Sequence, residues 1–430
     1  MTTSELPAQA GPAATAERGP AMLRPLRIRD FRFLFTGETV SVLGDQFHFV
    51  ALAWLALQLT GSGLALGTVL MTAAIPRAAF MLVGGAFSDR FSPRSLMLAS
   101  NAIRGVVVGA LAALVLTGRA ELWHLYVLAA TFGIVDAFFY PALNTIIPML
   151  VPERQLAPAN ALVQSAMQVT GLIGPALAGG LVALVQTGPA FAIDAVSFGI
   201  AALALVFVTG GRRHADRATT EPRPSLLADI GSGVRAAWAD PAVRSIVILT
   251  TTLNFAITGP MSVGLAILAD TRFAGGSAAF GLLFSAFGAG AVVGAIGAGS
   301  IPRPPHLGAI LMGGAILLGI GLAAIGVAPT LTIALAIHAV MGLLVGFLNV
   351  QAIAWLQARI PADRRGRVMS LVTLGSVGLA PVSLALAGFL VDLGLVAHIF
   401  VAGGAIIVAA SLAGIAWGVP RLMLWPDEEP

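Results

Sequence analysis

Residues 122–147 read LWHLYVLAATFGIVDAFFYPALNTII, a long apolar run interrupted by one formal charge, Asp136. Coiled as an α-helix at about 1.5 Å per residue, the run exceeds the ~30 Å hydrocarbon core of a bilayer. In lipid every backbone N–H and C=O must be satisfied within the span, so a helix is the only conformation open to it. Shifted by 209 residues, the run falls on a second apolar stretch near 329–356. Gly133 meets Gly342 and Phe138 meets Phe347, but Asp136 meets Val345.

The same shift aligns landmarks along the whole chain. Gly85 falls on Gly294, Pro93-Arg94 on Pro302-Arg303, Pro152 on Pro361 and Gly179 on Gly388. It also sets Asp45 on Asn254, Arg77 on Ala286, Asp89 on Ala298, Arg104 on Gly313 and Asp194 on Gly403. A shared scaffold explains the matches. The loss of charge from the second copy points to proton or ion chemistry in the first.

Composition agrees with a chain built for lipid. Of its 430 residues 57% are hydrophobic and only 10% charged, against about 25% charged in soluble domains. Counting apolar runs between polar breaks predicts twelve spans, near 31–58, 64–88, 96–117, 122–147, 159–184, 188–209, 243–268, 279–300, 307–327, 329–356, 367–392 and 396–418. Residues 1–30 and 419–430 are tails, the first rich in Ala, Pro, Thr and Gly and predicted to be disordered, with no signal peptide ahead of span one. Residues 210–242 join the two copies. Their first part is charged, and Leu226, Leu227, Ile230, Val234 and Trp238 then recur at helical spacing, which predicts an interfacial helix with a plain linker as the alternative.

All 24 basic residues are arginine, with no lysine and no cysteine. Disulfides, thiolate chemistry and a phosphate-loop lysine are thereby excluded, and ATP does not drive work from within this chain. The six histidines are dispersed, so no metal site or other cofactor is expected, and no nucleophile–base pair marks an enzyme. Twenty arginines fall in the termini and the loops on their side of the membrane; only Arg119 and Arg272 lie in the opposite loops, and Arg77 and Arg104 lie within spans. The positive-inside rule therefore places both termini in the cytoplasm of a multi-pass inner-membrane protein. The same topology accounts for the net positive charge without nucleic acid.

Between spans two and three the chain reads Gly84-Gly85-Ala-Phe-Ser-Asp89-Arg90-Phe-Ser-Pro93-Arg94. Asp89 ends span two, where the helix dipole disfavours a carboxylate, so it needs an arginine or another helix N-terminus as partner. This segment resembles the signature loop of the major facilitator superfamily, G-x-x-x-D-R-x-G-R-R, with Gly85, Asp89, Arg90 and Arg94 matching and Ser92 and Pro93 departing. A second stretch, Gly171, Gly174, Pro175, Gly179 and Gly180 in span five, resembles the family's antiporter motif with one extra residue after the proline. LGDQF in span one, AFFYPALNTIIPMLVP in span four, DAVSF in span six and RRGRVMS before span eleven resemble the bacterial drug-exporter branch that includes macrolide efflux and siderophore export proteins. The resemblance implies an all-α membrane fold of two pseudo-symmetric six-helix bundles, 31–209 and 243–418, rocking about a central cavity. It also implies a latch in which Asp89 meets the start of span eleven, near Arg367, in the outward-open state.

Ionisable residues inside the membrane are costly and are functional candidates by default. Span one holds Glu38, Asp45 and His48, roughly on one face; Arg77, Arg104, Asp136 and Asp194 lie in spans two, three, four and six. Asp45 and Asp136 lead as proton-coupling residues, with Glu38, Asp194, Arg77 and Arg104 behind them. A structural pair between Asp136 and Arg77 or Arg104 is the competing reading, as is a helix cross-link through Asp194. His48 and His338 read as satisfied core histidines. Substrate-contact candidates are Gln46, Trp54, Phe138, Tyr140, Asn144, Gln168, Asn254 and Asn349. These readings combine into a monomeric secondary transporter that exports bulky, largely apolar drugs or metabolites in exchange for protons. A narrow siderophore or metabolite exporter, a nutrient importer and a non-transporting receptor or scaffold are the rivals.

Overall fold

The computed structural model describes residues 21–88, 91–210, 235, 238–273, 275–301, 303–304, 306–423 and 425, with 81–88 and 362–367 placed by backbone alone. The N-terminal tail to residue 20, Asp89, Arg90, the Arg367 side chain and most of the expected interfacial helix lie outside the described residues. Among the described residues, twelve helices are long and apolar enough to cross a membrane. They are Arg29–Thr60, Gly63–Ser88, Pro93–Leu116, Leu122–Leu150, Leu156–Val185 and Thr187–Phe207 in the first half. In the second half they are Pro241–Thr271, Gly276–Gly299, Leu307–Val327, Leu331–Arg359, a broken Ala362–Val377 and Ala380–Asp392, and Val396–Ala416.

The repeat read from the sequence recurs in the helix bounds. Spans four and ten each run 29 residues, spans six and twelve each run 21, and the later member of each pair starts 209 positions on. Packing repeats as well: span four lies on two as ten lies on eight, and span three on six as nine on twelve. Spans three, six, nine and twelve turn large side chains outward, Val106 (72% exposed), Val196, Leu317 and Leu412 among them. An apolar rim of that kind has hydrocarbon as its neighbour.

Polar groups hold the helix ends and breaks. Arg94 donates from Nε to the Leu205 carbonyl (2.8 Å) and from its terminal nitrogen to Val206 (3.0 Å), serving the orphan carbonyls at the end of span six. Asp30 accepts from the Thr209 and Gly210 backbone N–H groups just beyond that end. Span seven opens on Pro241 after Asp240, whose side chain accepts from Ala242 N–H (2.9 Å) and also pairs with Arg359 at 2.7 Å. At Pro260 the span shifts into a π-turn over Pro260–Gly264. There the Ser383 hydroxyl accepts from Gly259 N–H (2.8 Å) and donates to Phe255 O (2.6 Å), occupying the gap that the turn opens in the helical ladder.

The two bundles meet along spans two and eleven and along spans five and eight. Both seams are closed on the face away from the chain ends, the far face. Asp392, the last residue of span eleven, accepts from Gly63 N–H (2.6 Å) and the Ser62 hydroxyl (2.5 Å) at the start of span two. A carboxylate at a helix C-terminus thus finds the N-terminus of a helix in the other bundle, where the dipole favours it. In the other seam the Ser277 hydroxyl donates to Gly179 O (3.1 Å) and Ala176 N–H to Ser285 Oγ (3.0 Å). A side chain at Gly179 would strike the span-eight backbone at Ser277 and Gly281, whereas one at Gly180 meets open space.

The absence of cysteine makes the far-face closure directly testable with one introduced thiol. Trp54 lies against Gly276 at that face, so Trp54→Cys serves as the reporter. Adding Gly179→Val or Asp392→Asn is expected to raise its labelling rate by a membrane-impermeant maleimide severalfold, and Gly180→Val to leave it unchanged. Equal rates in all four proteins would show that neither seam holds the far face shut.

Candidate functional site

The first bundle's interior collects charge from spans one, three, four and six. Seven residues separate Glu38 from Asp45 and three separate Asp45 from His48, which keeps all three near one helical face. Gly44 lets that face close on span six, since a side chain there would strike Ser197 and Asp194.

Two charge pairs form across it. His48 Nδ1 stands 3.3 Å from an Asp194 carboxylate oxygen, an ion pair whenever the imidazole is protonated. Ser197 donates its hydroxyl to the Asp194 main-chain oxygen at 2.7 Å. Arg104, 3% exposed, stands 3.4 Å from Asp136. Its guanidinium lies 4.3 Å from the Phe139 ring centroid and 5.3 Å from that of Phe198. His48 stacks on Phe132 with centroids 4.3 Å apart, and Arg104 sits 5.9 Å from that same ring. The aromatic faces offer the cation partial compensation for its lost hydration.

Two acids have no such match. Glu38 is buried beside Asn101, which is fully buried itself. Asp45 is half-buried and lies in the field of Asp194, Arg104, Asp136 and Glu38, with no hydrogen bond or ion pair of its own among the described residues. Four carboxyl groups therefore share one guanidinium and one imidazole. Of the two arginines weighed as partner for Asp136, the structure brings up Arg104. Arg77 stays exposed, its guanidinium 5.3 Å from the Tyr140 ring.

The eight substrate-contact candidates have different surroundings among the described residues. Asn254 and Asn349 line one cavity in the second bundle. Gln46 fills the space left by Gly174, Trp54 packs at the far-face seam, and Phe138 leans on Phe80 with centroids 6.1 Å apart. Asn144 and Gln168 are exposed on the first bundle. In the antiporter-like stretch, Gly174 faces Gln46, Gly179 and Pro175 make the close approach to span eight, Gly171 lies near Gly288, and Gly180 touches nothing. Sequence reasoning passed over Asn101, Ser197 and Asp392. The last carried a readable signal, since a carboxylate ending a span raises the same question as Asp89 does at the end of span two.

A sequence profile of the Major Facilitator Superfamily matches residues 34–380. The chain belongs to that superfamily. This facilitator is 26% identical over 385 residues to the multidrug efflux pump Tap of Mycolicibacterium fortuitum, covering 87% of this chain and 90% of that one. It is 24% identical over 386 residues to macrolide efflux protein A of Streptococcus pyogenes, covering 89% and 94%. Among solved structures, a POT family transporter in complex with 5-aminolevulinic acid superposes with a TM-score of 0.71 at 14% identity, over 93% of this chain and 96% of that one. A bacterial homolog of the human lysosomal transporter Spinster gives 0.66 at 16% identity, over 94% and 98%. The fold is thus that of a multi-pass facilitator transporter.

The Arg104–Asp136 pair makes a stability prediction. Arg104→Gln leaves a carboxylate in the interior without its cation and should cost about 2–3 kcal/mol. Adding Asp136→Asn removes the orphan and should restore most of that loss. Thermal midpoints of the wild-type, single and double variants in detergent test this. A single variant as stable as wild type would show that the pair bears no structural load.

Proposed function

We propose that this facilitator exports largely apolar small molecules in exchange for protons, acting as a monomer in a bacterial inner membrane. The observation that carries the reading is the excess of acid over base in the first bundle. In low dielectric, four carboxyl groups balanced by one guanidinium and at most one imidazolium leave net negative charge unless protons are bound. At register-equivalent positions in the second bundle stand Val247, Asn254, Val345 and Gly403, none of which titrates. Proton handling is therefore assigned to the first bundle, with Asp45, the unpaired and half-buried acid, as its first carrier and Asp136 as its second. The efflux functions of the Tap and macrolide relatives support the direction of transport.

With the arginine-rich ends taken as cytoplasmic, a closed far face corresponds to a cytoplasm-facing state. A proton taken up from outside neutralises Asp45 or loosens Asp136 from Arg104, and so biases the rocking equilibrium toward that state. Proton release to the cytoplasm, coupled to cargo binding, returns the cavity outward. The cycle needs each ligand to bind the two states with different affinity, and a carboxylate whose partners change between states meets that condition.

Inverted membrane vesicles with an acidic lumen provide the test. Wild type should accumulate an apolar dye or macrolide while the gradient lasts and stop when it collapses. Asp45→Asn and Asp136→Asn should each reduce gradient-driven uptake at least tenfold. If both retain wild-type uptake, the coupling assignment is wrong; uptake driven by the substrate gradient alone would instead describe a facilitator.

A further inference from the structure

The register that places charge in the first bundle leaves a space in the second. Arg104 corresponds to Gly313, His48 to Ile257, Phe132 to Met341, Asp136 to Val345 and Phe139 to Leu348. In the first bundle the guanidinium, the imidazole and their stacked rings fill the centre. In the second, a cavity of about 310 Å³ opens among spans seven, eight, nine and ten, lined by the replacements Ile257, Met341, Val345 and Leu348. No charged side chain reaches its wall; Thr250, Asn254 and Asn349 are its polar members. Asn254 donates its amide to the Thr250 carbonyl at 2.9 Å, which leaves its side-chain oxygen free to accept. Asn349 is exposed at the rim of the wall and makes no hydrogen bond among the described residues, so its amide is open to donate and to accept.

A volume of this size would hold about ten waters at ~30 Å³ each, but a water needs two to four polar partners and most of this wall has none to give. The volume sits at the lower end of the range for small-molecule pockets, and an apolar wall with a few placed polar groups is their usual make-up. An ionised ligand would lose its hydration with no counter-charge to replace it. Met341 supplies a side chain that adapts to ligand shape.

We propose that this cavity is a binding site for a neutral, predominantly apolar small molecule with at least one hydrogen-bonding group, held by the second bundle alone. Its role as the cargo site rests on the transport reading; its existence as a binding site does not. One scaffold then serves two ligands at equivalent positions, protons in the first bundle and a neutral molecule in the second. Small and aliphatic side chains stand in the second bundle where the first carries charge and rings.

The test uses full-length protein in nanodiscs and N-phenyl-1-naphthylamine, a neutral aromatic amine, with tetraphenylphosphonium as the charged competitor. Wild type should bind the neutral probe saturably above the empty-nanodisc background, and the cation should not displace it. Ala315→Phe and Val345→Phe each place a ring in the cavity and should weaken binding at least tenfold. Asn349→Leu, which keeps the volume and removes the amide, should weaken it about fivefold. Binding is read with no pH gradient imposed and uptake is read separately, so failure of coupling and failure of this site are distinguishable. Three results would each overturn the proposal: no saturable binding by wild type; wild-type binding in both ring-bearing variants when they elute as folded protein; or displacement by tetraphenylphosphonium.

Discussion

Hydrocarbon offers a polar group no partner, so a polar atom inside this molecule is costly unless the protein supplies one. The rest of the architecture depends on that constraint. It requires helices wherever the chain crosses, since only a helix satisfies its own backbone locally. Where the ladder breaks, at Pro260, a hydroxyl from span eleven takes up the freed groups. Arg104 is tolerated because Asp136 and a cluster of aromatic faces receive it.

The same constraint governs how the bundles touch. A carboxylate at the end of a helix lies where the dipole repels it, and becomes stabilising against an arginine or the start of another helix. Asp392 meets that need across the far face, at the start of span two. In the sequence Asp89 directly follows Ser88, the last described residue of span two. Backbone-to-backbone seams at Gly179 and Gly281 give the closed face its fit, since even a methyl group there would hold the helices apart.

Divergence between the copies is a trade of charge for volume. Helix lengths, packing partners and glycine seams repeat, while the interior side chains do not. Carboxylates, a guanidinium and stacked rings occupy the first interior, and their counterparts in the second leave a cavity with amide groups on an apolar wall. A fold assembled from two similar halves can separate its tasks in this way without changing its frame.

Much of this was legible in the residues. Run length and hydropathy determined twelve helices because membrane thickness sets a minimum that few other structures need. The 209-residue register determined the two-fold repeat, and the cost of burying charge singled out Glu38, Asp45, Arg77, Arg104, Asp136 and Asp194, of which Arg77 is exposed. Partnership was not legible. Arg77 and Arg104 are equally plausible partners for Asp136 in sequence, and only the packing of span three against four chose Arg104. His48 read as a core histidine until span six brought Asp194 to it. The eight substrate candidates were selected by residue type, which carries no information about which helix faces which. The cavity was least visible of all, because a void is the absence of side chains converging from four spans. Local chemistry is written residue by residue, whereas contact, enclosure and empty space exist only once the helices are packed.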